Sequence, residues 1–189
     1  EKQLDEVRLQ MLKNQINPHF LFNTLNMIAS TAQIEDADTT EKMIHALSRL
    51  FRYNLKSTDS VMPLERELKV VQDYMYIQQM RFGSRISHDL RVEVDGSETM
   101  IPAFTLQPLV ENAIIHGIAR KEEGGRIFLR IWKRKDKIVI SLADTGVGMD
   151  EETLKKAYGC LKGHRTARVG IGAGGIYIRG LNPCTRMGI

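Results

Sequence analysis

The first 82 residues contain no glycine and only two prolines, Pro18 and Pro63. With so few breakers, and with apolar residues recurring at helical spacing, this half reads as helical. Cysteine is also scarce. Cys160 and Cys184 are too few for a disulfide framework, and neither stands in metal-ligand spacing with the five histidines, so a reducing compartment fits best. No window approaches the ~18 consecutive apolar residues that span a bilayer, and no signal peptide opens the chain, which therefore reads as soluble. It starts on Glu1-Lys2-Gln3-Leu4 without an initiator Met, as a fragment of a longer protein would. Charge of one sign is lacking too. The net +4 comes from 27 basic residues interleaved over most of the chain with 23 acidic ones, so nucleic acid is not an expected partner. What remains, 189 residues with 42% hydrophobic and 26% charged residues and no low-complexity tract, is enough for an ordinary core.

Leu4, Val7, Met11, Ile16, Phe20 and Met27 form one interrupted apolar stripe. Met43, Leu47, Leu50, Phe51 and Leu55 form a second after the polar break Glu35 to Thr40. Thr39-Thr40-Glu41-Lys42 offers an N-cap for that second helix. A third helix is expected after Pro63, carrying Leu64, Leu68, Val71 and Met75. Three such helices cannot enclose all their apolar surface alone, which implies pairing with a second copy. From Gly83 the period changes. Ile86, Leu90, Val92 and Val94 alternate with polar residues, as do Ile127, Leu129 and Ile131, and a further strand is expected at Ile138 to Leu142. Between them Phe104 to Gly117 is an apolar run of helix length, opened by Pro102 and closed by His116-Gly117. The second half is α+β, and the join falls near Arg81 to Ser84.

Four segments could carry chemistry. In Leu109-Val110-Glu111-Asn112-Ala113-Ile114-Ile115-His116-Gly117, Asn112 and His116 are four apart and share a helix face amid apolar neighbours; a locally satisfied capping Asn or His explains the pair equally well. Ala143-Asp144-Thr145-Gly146-Val147-Gly148-Met149 follows a strand. Its glycines let backbone approach a ligand, and its carboxylate can accept from an amino group such as that of adenine; alone it also reads as a plain glycine turn. Gly170-Ile171-Gly172-Ala173-Gly174-Gly175 formally matches GxGxxG but lacks the acidic residue that a dinucleotide fold places ~20 positions on, so it reads as a phosphate-covering loop or a loose tail. Finally, Pro18 inside a helical stripe costs on the order of 3 kcal/mol. A kink exposing His19 would be a use for it, since a neutral imidazole offers a nitrogen lone pair for attack on phosphorus. A lone histidine on a helix is more often structural.

Taken in order, the segments resemble the LytS-type sensor histidine kinases of two-component systems. The resemblance runs through Gln15-Ile16-Asn17-Pro18-His19-Phe20-Leu21-Phe22-Asn23, Leu47-Ser48-Arg49-Leu50-Phe51-Arg52-Tyr53-Asn54-Leu55, Pro63-Leu64-Glu65-Arg66-Glu67-Leu68 and Tyr74 to Phe82. It continues in a GHKL-type N box, Leu106-Gln107-Pro108-Leu109-Val110-Glu111-Asn112-Ala113, and a first glycine box, Asp144 to Gly148. The fold it implies is α+β: residues 1–82 a helical dimerisation and histidine phosphoacceptor region, residues 83–189 a GHKL (Bergerat) α/β-sandwich ATP-binding domain. Its end, 170–189, is atypical and reads as incomplete. The resemblance implies His19 as phosphoacceptor, Asn112 as the Mg²⁺ ligand, Asp144 on adenine, Gly146 and Gly148 lining the base pocket, His116 near the phosphates, and Gly170 and Gly172 covering the nucleotide. It further implies ATP and Mg²⁺ as cofactors, a homodimer, a response-regulator receiver domain as partner, and a cytoplasmic location in a membrane-anchored sensor. Two departures stand out. Phe20 follows His19 where many histidine kinases have an acidic residue, and Pro108 stands where ATP-hydrolysing relatives carry a general-base Glu. Glu111 points about 100° away from Asn112 on a helix and cannot replace that base. The alternatives are a degenerate ATP-binding or dimerisation module and a GHKL ATPase.

Overall fold

The computed structural model describes residues 17–56, 60–135 and 137–148, together with the backbone of 168–172 and 175–181. The chain divides into two compact units. One comprises the residues before Asp59 together with Asp73–Ile77, and the other Asp59–Gln72 with the residues from Gln78 onward.

The first unit is built on α1 (Pro18–Ile34) and α2 (Asp38–Lys56). Helix α1 buries Phe22, Leu25, Ala29 and Ala32, an i, i+3, i+7, i+10 row that faces α2, where Ala46 and Leu50 are buried. The stripe expected through Phe20 and Met27 is instead a second face, since both are exposed (70% and 64%) along with Ile34 (84%). Helix α1 is thus apolar on two sides, and the sequence pattern picked out the outer one. It ends in a Schellman arrangement: Asp36 takes φ 54°, the Asp36 N–H donates to Gln33 O (3.2 Å) and the Ala37 N–H to Ala32 O (2.8 Å). The connection is therefore short, and α2 has already begun at Asp38. Thr39 and Thr40 lie inside its first turn rather than capping it, while Asp38 and Glu41 place carboxylates at the helix's positive end.

Helix α3 (Leu64–Phe82) contributes Asp73–Ile77 to this unit. There Arg49 Nε and Nη2 donate to the two oxygens of Asp73, each at 2.7 Å, a bidentate pair in which the Asp73 side chain is only 6% exposed. The hydrogen bond to Asp73 raises the Arg49 guanidinium above its ordinary pKa.

The second unit begins with a two-stranded antiparallel ladder, β1 (Val61–Pro63) on β3 (Met100–Pro102), with Met62 opposite Ile101. Its prolines sit at strand ends, where a missing N–H is tolerated. Strand β1 leads directly into α3, and β3 leads through Ala103–Thr105 into α4 (Leu106–Asn112). The Leu64 N–H donates to Thr99 O (2.7 Å) and the Glu65 N–H to Gly96 O (3.0 Å), so carbonyls of the segment just before β3 satisfy the start of α3. The main sheet has five strands in the order β2-β4-β5-β7-β6: β2 (Ile86–Val92), β4 (Gly125–Arg134), β5 (Lys137–Asp144), β6 (Arg168–Gly172) and β7 (Gly175–Leu181). Strand β2 is parallel to β4 and the other pairs are antiparallel. Leu129 stands opposite Leu142 and Ile131 opposite Ile140, all buried, and the helical segment after Asn112 packs against β4 and β5 with Ala113, Ile114 and Ile118 inward. Each such residue contributes roughly 1.5–3 kcal/mol by leaving water.

Truncating Arg49 would leave the buried Asp73 carboxylate without that guanidinium. Arg49→Ala is expected to lower the unfolding free energy by about 2 kcal/mol, with part recovered on adding Asp73→Asn; urea denaturation followed by circular dichroism measures both.

Candidate functional site

His19 stands in the first turn of α1. Asn17 is the N-cap, its Oδ1 accepting from the N–H groups of His19 (3.1 Å) and Phe20 (3.3 Å), and Pro18 occupies the first helical position. The kink expected at Pro18 is therefore not what exposes His19. A proline at that position gives up an N–H that has no intrahelical partner, so no helical bond is lost. The imidazole is exposed, and the Asn23 amide nitrogen lies 3.3 Å from its Nδ1 and 3.4 Å from its Nε2. Asn23 follows by one turn, a spacing readable in the sequence but not singled out. The partial positive charge of the helix start favours a negative group on the His19 ring.

In the second unit Asp144 ends β5, and residues 145–148 pass close to the end of the α4 segment. The expected helix from Phe104 to a stop at His116-Gly117 is only partly found. Helix α4 runs from Leu106 to Asn112, and the chain then widens into a π turn, Ala113–Ile118. A Cβ at Gly117 would come within 2.7 Å of Asp144 Oδ1, and a Cβ at Gly146 would run into the Gly117 backbone, so the two segments touch through atoms that only glycine leaves bare. Gly117 O accepts the Val147 N–H (3.2 Å), and Asp144 Oδ1 accepts the Gly146 N–H (2.9 Å). Thr145 fastens the loop to β4: its N–H donates to Arg126 O (3.1 Å) and its Oγ1 accepts the Arg126 N–H (2.9 Å). Lys121 Nζ reaches Thr145 O at 3.4 Å. Asp144 is thus a half-buried carboxylate in a fixed loop, with oxygens suited to accept from an amino group.

Asn112 and His116 are both exposed while Ala113, Ile114 and Gly117 are buried. Arg120, one turn on, brings a guanidinium nitrogen within 3.4 Å of His116 Nδ1. Glu111 accepts from Gln107 Nε2 at 2.8 Å. Gly148 has φ 76° in open space. Gly170 and Gly172, expected in a covering loop, instead belong to strand β6. Val169 and Ile171 alternate with glycine there, and the strand pairs antiparallel with β7, Gly170 opposite Tyr177 and Ile171 opposite Ile176. Gly172 pairs with Gly175, which pairs with Ala143, so it stands at the Asp144 end of the sheet two strands away, about 10 Å. Of Lys155, Lys156, Lys162, Arg165 and Arg168, basic residues that could meet phosphate or simply form a solvated face, all but the backbone of Arg168 lie outside the described residues, as do both cysteines. Sequence reasoning also missed Glu67, buried against the start of α4, and the Arg49–Asp73 pair.

Among the described residues no helix is long and apolar enough to cross a membrane, and no group of three or more His, Cys, Asp or Glu could hold a metal ion. Residues 7–86 match the histidine kinase family, and residues 102–182 match the family of histidine kinase-, DNA gyrase B- and HSP90-like ATPases. Helices carrying an exposed histidine, followed by a domain that matches this ATPase family, define the class as that of the histidine kinases. The sensor histidine kinase YpdA of Escherichia coli is 34% identical over 97% of this chain and 34% of its own length. The sensor protein LytS of Oceanobacillus iheyensis is 39% identical over 82% of this chain and 26% of its own, and YesM of Bacillus subtilis, also a sensor histidine kinase, is 35% identical over 84% and 28%. The chain belongs to the sensor histidine kinase family, and it spans about a third or less of the length of these relatives.

Gly146→Ala must push two backbones apart, whereas Gly148→Ala meets only an unfavourable φ. The first is expected to cost about 3 kcal/mol and the second about 1 kcal/mol; thermal melts of the two variants side by side measure the difference.

Proposed function

We propose that this chain is the core of a sensor histidine kinase in which ATP phosphorylates His19 and the phosphoryl group passes to an aspartate on a response-regulator receiver domain. The observation that carries this reading is the Asp144 carboxylate fixed against Gly117 and Gly146, an arrangement suited to an adenine amino group, with Asn112 and His116 on the adjoining helical segment. Gly146 and Gly148 would then border the base, and Gly170 and Gly172 would lie toward the nucleotide from β6. The exposed Asn112 side chain offers a hard oxygen of the kind Mg²⁺ takes alongside water and phosphate oxygens. Bound there, Mg²⁺ would neutralise triphosphate charge, and His116 with the Arg120 guanidinium would add hydrogen-bonding groups. Phosphoryl transfer asks mainly for positioning and charge neutralisation, so this residue set suffices in kind.

Transfer is favoured over hydrolysis by two details. Pro108 offers no carboxylate one turn before Asn112, and Glu111 is engaged with Gln107. Residues 1–82 take the acceptor and dimerisation role and residues 83–189 the nucleotide role. The outer face of α1, with Phe20, Met27 and Ile34 at seven-residue intervals, suits a second copy of the same helix, which supports a homodimer. The parent protein is proposed to be membrane-anchored with this region in the cytoplasm, a reading supported by the sensor relatives' greater length.

Incubation with γ-³²P-ATP and Mg²⁺ is expected to give an acid-labile label that His19→Ala abolishes and Asn112→Ala reduces about a hundredfold. Turnover of ATP unaffected by His19→Ala would instead identify an ATPase, and nucleotide binding with no label a degenerate binding module.

A further inference from the structure

We propose that Glu67 is a positioning residue of the nucleotide site: by holding the first turn of α4 it sets where Asn112 stands, and through that the affinity for ATP. The role in ATP affinity rests on the function proposed above; the role in holding the helix does not.

Glu67 is on α3 and is 0% exposed. A carboxylate is kept out of water only where hydrogen bonds replace its hydration, and here each oxygen has one: Oε1 accepts from the Phe104 N–H at 2.9 Å and Oε2 from the Leu106 N–H at 2.8 Å. Leu106 is the first residue of α4, whose N–H the helix's own bonding cannot satisfy, and Phe104 stands just before the N-cap. Thr105, in the N-cap position, makes no side-chain bond to the helix; its hydroxyl donates to Pro102 O at 2.6 Å. The cap of α4 is thus supplied from 39 residues away. It also holds Phe104 at φ 59°, a backbone conformation that a bulky residue does not adopt without support. The β1–β3 ladder and the Ala103 N–H bond to Ser60 O (3.1 Å) bring the two helix starts together, and Leu64, Ile101 and Leu106 on these elements are likewise 0% exposed.

The geometry makes the far end of the helix sensitive to this contact. Helix α4 has seven residues and ends at Asn112, so a tilt of about 10° at its start moves Asn112 by roughly 2 Å. Displacements of that size matter where a phosphate is being positioned. Glutamine at position 67 would offer one acceptor and turn an NH₂ group toward a backbone N–H; aspartate would keep two acceptors on a shorter arm.

The test is Glu67→Gln in the full chain. Hydrogen exchange is expected to show the Phe104 and Leu106 amides losing protection while those paired between β4 and β5 keep theirs. The KM for ATP in His19 labelling should rise about tenfold, or about 1.4 kcal/mol, with the rate at saturating ATP within about twofold of the parent. Glu67→Asp should fall between the two and serves in place of the glutamine variant if that one does not fold. Unchanged protection at both amides overturns the proposal, as does lost protection with an unchanged KM, or an equal fall in labelling at every ATP concentration. Binding of trinitrophenyl-ATP should weaken in parallel. A parent chain that binds this analogue but leaves His19 unlabelled refutes the kinase reading, and the Glu67 proposal then stands or falls on the exchange and binding shifts.

Discussion

Two backbones that must touch govern the second unit. The Gly117 and Gly146 chains approach so closely that a single added methyl would separate them, and the neighbouring parts of the site follow from that approach. The Asp144 side chain fits beside Gly117 because no Cβ stands in its way. The Val147 N–H reaches a helical carbonyl, and the α4 segment widens where it meets the loop. Side-chain chemistry then finishes a site whose outline is set by bare main chain, which is how a carboxylate comes to be fixed at a strand end with so few long side chains around it.

A second constraint concerns how α3 is used. Its two buried carboxylates, Glu67 and Asp73, face different tasks: one receives backbone donors from the start of α4, the other a guanidinium from α2. Both obey the same rule, that an acid may be removed from water when geometry supplies directed donors. The helix therefore serves each unit through polar contacts as well as through Val70, Val71 and Met75, and its composition is less apolar than its burial alone would suggest.

Much of the architecture was legible before any coordinates. The period-two pattern at Ile127, Leu129 and Ile131 marks β4, the helix after Pro63 starts where expected, and the Asp144 loop follows its strand. What escaped the sequence depends on partners far along the chain. Glu67 sits between Arg66 and Leu68 in a segment that looks like an ordinary charged helix face; only the fold reveals which of Glu65 and Glu67 is enclosed. The π turn lies against a loop that local propensity does not see. Strand β6 is hard to read in the sequence because its glycines outweigh Val169 and Ile171, and Pro18 is a helix breaker by type whose place at the first position of α1 only the fold shows. The segment around His19, by contrast, resembles the family in consecutive residues, so its likeness needs no fold to be read.

The π turn at Ala113–Ile118 carries one more implication. A wide turn accommodates a residue that a regular helix of the same span would not, so the registration of Gly117 against Asp144 amounts to counting along the chain. Loss of any one residue from this stretch would slide the glycine off its partner while Asn112, His116 and Asp144 all remained in the sequence. The contact is thus vulnerable to a change of length that leaves the chemical inventory intact, and a variant could retain each recognisable motif yet lose the approach of the two backbones.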